Sequence, residues 1–324
     1  MWTGLLIAIG AFGCRSETIE LHVSHIEGSS ETIGASLSAI SPKGNPLPLT
    51  QNNTTIMVET ATAGGPYEPA SNIQVYYNGT CFVDAVVVAD NSGSEANYIE
   101  EIRSGVEGFS HVILSRKQPD RVGLVRVSTN ATVLSELTTD ETDLEDSISG
   151  MFVNEGWTAL WDGIRLGNDV LQTGAVLQSD NHICIDPAYR SIVVFTDGQD
   201  NNSGDEEQSS SAGDGVDTTL DGLFDLTIHG QETAVYTIGV GNDVDEDALI
   251  ALSEETGGSY RHIDNYGGLI GALSSMATTL TEQVPLCFTR SSCDHDTARI
   301  QFDFIHQGQL VQRTFDVNLP TCSP

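Results

Sequence analysis

Lysine is almost missing from this chain. Lys43 and Lys117 are its two lysines, and lysine plus arginine number 13 against 46 aspartates and glutamates, a formal charge of −33 at pH 7. So negative a chain repels polyphosphate and anionic lipid, which excludes nucleic acid as a partner and leaves a membrane reachable only through a lipid anchor. Metal cations and basic surfaces are the favoured counterparts. Long apolar runs are missing too. The first thirteen residues, MWTGLLIAIGAFG, are apolar, but a spanning helix needs about 20 such residues. The six cysteines contain no CxxC pair, which argues against a zinc site. No GxSxG, GxxxxGK or HExxH motif is present, and the chain is expected not to be an enzyme.

What is present fits a folded protein. Hydrophobic residues make up 39% of 324 residues, enough chain for about two domains and a sheet buried on both faces. The leader ends at Cys14, after which Arg15, Ser16 and Glu17 are polar. This resembles the cleavage box of bacterial lipoproteins, in which Cys14 is acylated. It implies an exported protein, either a membrane-anchored lipoprotein of the cell envelope or a secreted one.

Beyond the leader (1–14), residues 15–80 alternate apolar and polar positions between Gly, Pro, Asn and Ser clusters, a pattern of short antiparallel strands. At 81–287 the texture changes. FVDAVVVAD is a nearly continuous apolar run, expected of a central parallel strand. Ile99, Ile102, Val106, Phe109 and Ile113 mark one helix face, and further strands and helices alternate up to a last helix lined by Leu269, Leu273, Met276, Leu280 and Val284. The expected fold is α/β, a doubly wound, mostly parallel, six-stranded sheet. Residues 288–324 return to alternation around a turn at HQGQ. Such a hairpin is too small to stand alone, so it is expected to complete the amino-terminal strands as a small β-sandwich into which the α/β unit is inserted. Cysteine spacing alone leaves the connectivity open. The layout favours Cys81 with Cys287, pinning the two ends of the inserted unit, and Cys293 with Cys322, with Cys184 left over.

Doubly wound sheets bind ligands beyond the carboxyl ends of their strands. Oxygen donors sit at three such places: Asp90, Ser92 and Ser94 after the first strand of the unit, Thr158 at the start of GWTALWDGI, and Asp197 after SIVVFT. Hydroxyls and carboxylates converging on one point suit a small hard cation. The same side chains also serve as helix caps. Asp243, Asp245, Asp247 and Glu254 have calcium-loop spacing, but Ala248 stands where such a loop needs Gly, so they read as the acidic start of a helix. Asp200, Asp205, Glu206, Glu207 and Asp214 read as a solvated charge run.

The series Asp90, Ser92, Ser94, Thr158, Asp197, with VDAVVVADNSGS, WTALWDGI, IVVFTDGQDN and YTIGVGNDVDEDALIALSEETGGSY around it, resembles a von Willebrand factor type A domain with a metal-ion-dependent adhesion site. The resemblance spans roughly residues 81 to 285. It implies that Ser92, Ser94 and Thr158 coordinate Mg²⁺ (or Ca²⁺ or Mn²⁺) through hydroxyls, with Asp90 and Asp197 acting mostly through water. An Asp or Glu of a protein partner then completes the octahedron. An adhesion module is therefore expected; the alternative is a structural or scaffolding part of an envelope complex whose metal only stabilises the domain. Trp157 and Glu95 depart from the family pattern, and both are expected at the rim.

Overall fold

The computed structural model describes residues 19–28, 32–41, 45–62, 64–77, 82–116, 118–152, 156–174, 188–203, 218–223, 233–290 and 295–319. The leader with Cys14, and Cys81, Cys184, Cys293 and Cys322, lie outside the described residues, and with them the expected pair Cys293–Cys322 and the Cys81 half of the other; Cys287 is described and is disulfide-bonded. The amino-terminal strands are β1 (Glu20–Gly28), β2 (Thr32–Ile40), β3 (Thr54–Ala61), β4 (Glu68–Pro69) and β5 (Ser71–Val75). The α/β unit comprises β6 (Phe82–Asp90), α1 (Ile99–Leu114), β7 (Arg121–Val127), β8 (Thr132–Thr138), α2 (Glu141–Ser149), α3 (Leu160–Gly174), β9 (Ala188–Thr196), β10 (Thr233–Val240), α4 (Glu246–Thr256), β11 (Tyr260–Ile263) and α5 (Leu269–Thr281). The chain then continues through β12 (Val284–Thr289), β13 (Thr297–His306) and β14 (Gln309–Asn318).

The run FVDAVVVAD becomes β6, inside a six-stranded sheet of order β11-β10-β9-β6-β7-β8. Its strands are parallel except for β8, which runs antiparallel to β7 at the edge. The doubly wound α/β expectation is therefore met. Val83, Ala85, Val87 and Ala89 pack in a core with Val106 and Phe109 of α1 and Leu273 of α5, while Val86 and Val88 pack on the other face with Leu160 and Ile164 of α3. Covering on both faces is why the strand shows no polar alternation. Each buried valine contributes about 1.5–3 kcal/mol. On α3, a Cβ added at Gly163 would come within 2.2 Å of Val127 Cγ2. The glycine of WTALWDGI thus lets α3 press against the sheet near its carboxyl end.

Two antiparallel sheets, β1-β2-β12-β5 and β14-β13-β3-β4, enclose a separate core that includes Ile33, Leu37, Phe288, Ile300, Phe302 and Phe304. The last hairpin turns at Gln307 and Gly308, with φ of 51° and 80°. Positive φ at both residues suits the right-handed twist of a two-residue connection. β13 pairs with β3, and β12 with β2 and β5, so the α/β unit is inserted between strands of the sandwich. One local expectation fails. α5 ends at Thr281, and Val284 opens β12 rather than closing the helix face. Pro285 explains this, because the residue before a proline is driven out of the helical region. As a result β12 straddles the boundary drawn at 287.

Candidate functional site

β6 and β9 pair in parallel as far as Ala89 and Phe195, so Asp90 and Asp197 leave the sheet as neighbours. Asp90 is completely buried. Its Oδ1 accepts from the Ser92 amide at 3.1 Å and its Oδ2 from Thr196 Oγ1 at 2.5 Å. The chain then makes a 3-10 turn, Gly93–Asn97. Three residues per turn bring Ser92 and Glu95 to the same side. Ser92 Oγ lies 3.2 Å from Ser94 Oγ and donates to Glu95 Oε2 at 3.1 Å, and Ser94 Oγ donates to Asp197 Oδ1 at 2.8 Å. Asp90, Ser92, Ser94 and Asp197 therefore belong to one hydrogen-bonded cluster of oxygens.

Thr158 is tied to the loop after β9 by backbone bonds. Its amide donates to Asn201 Oδ1 at 2.7 Å, and its carbonyl accepts from the Asn201 amide at 3.0 Å. Asp200 Oδ1 accepts from the amides of Leu160 and Trp161 at 2.7 and 3.2 Å, capping α3. The segment DGQDN thus fastens the start of α3 to the loop that carries Asp197. Asp200 is a cap rather than part of a solvated run; Asp205, Glu206, Glu207 and Asp214 lie outside the described residues. Asp245 caps α4 by accepting from the Ala248 amide at 3.1 Å, which makes the acidic series there a helix start, as expected.

Glu95 overturns the rim expectation. It is 0% exposed, whereas Trp157 does lie at the surface at 53%. The 3-10 turn carries Glu95 inward, and Tyr266 Oη donates to its Oε1 at 2.8 Å. The Tyr266 ring stacks on Tyr98, with centroids 4.7 Å apart. One oxygen each from Asp90, Glu95 and Asp197 falls within 4.8 Å of the others. Glu95, Tyr266 and Thr196 are neighbours of the cluster that the motif did not reveal. An acid three residues after Ser92, at 3-10 spacing, is the signal that could have exposed Glu95; Tyr266 left none.

No cationic side chain compensates Asp90 or Glu95 among the described residues. Burial pushes the Asp90 carboxyl up to about 6, against the pull of hydrogen bonds from Thr196 and Ser92. Burial and then the charges of Asp90 and Asp197 push Glu95 up to about 10. The Tyr266 phenol is raised far above its ordinary range by burial and by Glu95. A centre so poor in positive charge, offering hydroxyl and carboxylate oxygens and no nitrogen or sulfur, fits a hard divalent cation.

No curated protein matches the sequence. Among solved structures the chain is similar to a von Willebrand factor type A protein from Catenulispora acidiphila, at 10% identity over 94% of this chain and 74% of that one, with a TM-score of 0.49. It is similar to BatB from Bacteroides thetaiotaomicron at 14% identity over 61% of this chain and 98% of that one, TM-score 0.43. Proximal thread matrix protein 1 from the mussel byssus, solved with a zinc-occupied MIDAS motif, is 14% identical over 64% of this chain and 47% of that one, TM-score 0.44. The family model for the von Willebrand factor type A domain matches residues 84–272, more than half of the chain. The chain belongs to the von Willebrand factor type A domain family.

Proposed function

We propose that this chain is a metal-dependent protein-binding module of the cell envelope or extracellular space, and that it is not an enzyme. Asp90, Ser92, Ser94 and Asp197, with Thr158 from the start of α3, would hold a divalent ion of the Mg²⁺ type. The ion, when bound, supplies a Lewis-acidic corner for an Asp or Glu of a partner. The observation that carries the proposal is the bonded series from buried Asp90 through Ser92 and Ser94 to Asp197, which reaches the surface at the exposed Ser94. That gradient leaves one side of the cluster open to a protein ligand. Neutral hydroxyls would preserve the electrophilicity that a partner carboxylate needs.

Export is supported by the apolar leader ending at Cys14, and no helix among the described residues is long and apolar enough to cross a membrane. The test is affinity capture from the native envelope with Mg²⁺ present, followed by chelator. Loss of the captured protein on chelation is expected. Capture indifferent to chelator would instead favour a structural part whose ion only stiffens the domain.

A further inference from the structure

Glu95 is the residue that the adhesion-site pattern does not account for. The turn Gly93–Asn97 places it under the site, and both of its oxygens are engaged, Oε2 by Ser92 Oγ and Oε1 by Tyr266 Oη. A glutamate that merely tolerated burial would be expected to lie beside a guanidinium or ammonium group. This one lies beside two more carboxylates, within 4.8 Å.

The spacing bears on whether the three acids can share one ion. Two ligands of one cation are separated by at most twice the metal–oxygen distance. That limit is about 4.0–4.2 Å for Mg²⁺ and about 4.6–5.2 Å for Ca²⁺. The three carboxylate oxygens, no more than 4.8 Å apart, are close enough to share one ion directly or through water, and a third carboxylate suits Ca²⁺, since Mg²⁺ is usually held by one or two. Ca²⁺ also accepts more ligands and more irregular arrangements than Mg²⁺.

Building on the proposed metal site, we propose that Glu95 is a direct ligand of the ion, supplied from within the chain on the buried side, and that this third carboxylate tilts the site towards Ca²⁺. The open side next to Ser94 remains for a partner. Three carboxylates against one dication leave the loaded site with a net negative charge, so Glu95 strengthens ion binding and weakens the pull on an external acid.

The test uses the full chain and metal alone as probe. Titration calorimetry of wild type and E95Q with CaCl₂ and with MgCl₂ is expected to show Ca²⁺ affinity falling by at least about tenfold in E95Q. Mg²⁺ affinity should fall less, so the ratio of the two affinities drops. Terbium luminescence lifetimes in H₂O and D₂O, which count metal-bound water, should show an additional water in E95Q. Equal Ca²⁺ affinity and equal water number in the two proteins overturn the role of Glu95 while leaving the metal site standing. Absence of ion binding in wild type and variant alike overturns both. If E95Q fails to fold, E95D keeps the charge but withdraws it by one methylene. Weakened Ca²⁺ binding is then expected, and unchanged binding rejects direct ligation.

Discussion

The two ends of the central sheet treat buried acids in opposite ways. At the amino end of β6, Asp84 is buried and accepts two bonds from Arg121, at 2.8 and 2.5 Å. Next to it, Asp120 accepts from the Val83 amide at 2.8 Å and lies 3.3 Å from Arg116. At the carboxyl end of the same strand, Asp90 and Glu95 are buried with Asp197 beside them and no cation. One strand thus carries a neutralised pair at its base and an unneutralised group at its tip. A fold that needs only stability supplies its own counter-charge. The tip, which lacks one, is where the proposed ion would supply the counter-charge from solution.

The contrast breaks most sharply at the base. R121A removes the guanidinium and leaves Asp84 buried and unpaired, for a loss of about 3–5 kcal/mol. Chemical denaturation of R121A should show that loss, with ions making no difference to it. A change under 1 kcal/mol would mean that the two ends of the strand are not energetically distinct.

At the tip, the proposed counter-charge is an ion. With Ca²⁺ or Mg²⁺ at about 100 times its dissociation constant, stabilisation of about 2.7 kcal/mol is expected, and chelator should remove it. D90A should lose this ion-dependent gain. An undiminished gain in D90A, read from thermal melts with and without ion, would refute the assignment of the site.

Protons provide a second substitute for the ion. Asp90 and Glu95 have folded values pushed up to about 6 and about 10, from ordinary values of 3.8 and 4.5. The native state therefore binds these protons more tightly than the unfolded chain does. Their contribution to stability is fully present below the ordinary values and is lost as pH rises towards the folded ones. Metal-free protein should lose stability as pH rises between about 4.5 and about 10. Subtracting the curve of E95Q removes the part due to general charge repulsion. Parallel curves for the two proteins would show that Glu95 does not titrate in this way.

The sequence exposes the base and the tip unequally. Apolar runs and helical spacing report burial directly, because β6 and α1 must hide continuous faces, and the sheet and its order of elements could be read from them. Asp90, Ser92, Ser94 and Asp197 were legible because strand ends are where such folds present donors. Thr158 was found in the motif, although its hydroxyl bonds to none of the other four. Glu95 was misplaced at the rim, since a charged side chain is exposed by default, and its partner Tyr266 lies 171 residues away in the chain. Val284 misled because it continues a helical spacing that Pro285 had already ended.

The smallest expected effect concerns that distant partner. Y266F keeps the ring stacked on Tyr98 and removes the hydroxyl that donates to Glu95 Oε1. One hydrogen bond is lost, worth about 1 kcal/mol of stability in metal-free protein. The ion should feel the change as well, because Tyr266 fixes the orientation of the Glu95 carboxyl. Groups that orient a ligand typically contribute about 10-fold or more to affinity, so Ca²⁺ binding to Y266F should weaken, but by less than in E95Q. Weakening as large as in E95Q would mean that Tyr266 governs the site as strongly as the carboxylate itself. No weakening would mean that Ser92 alone suffices to aim Glu95.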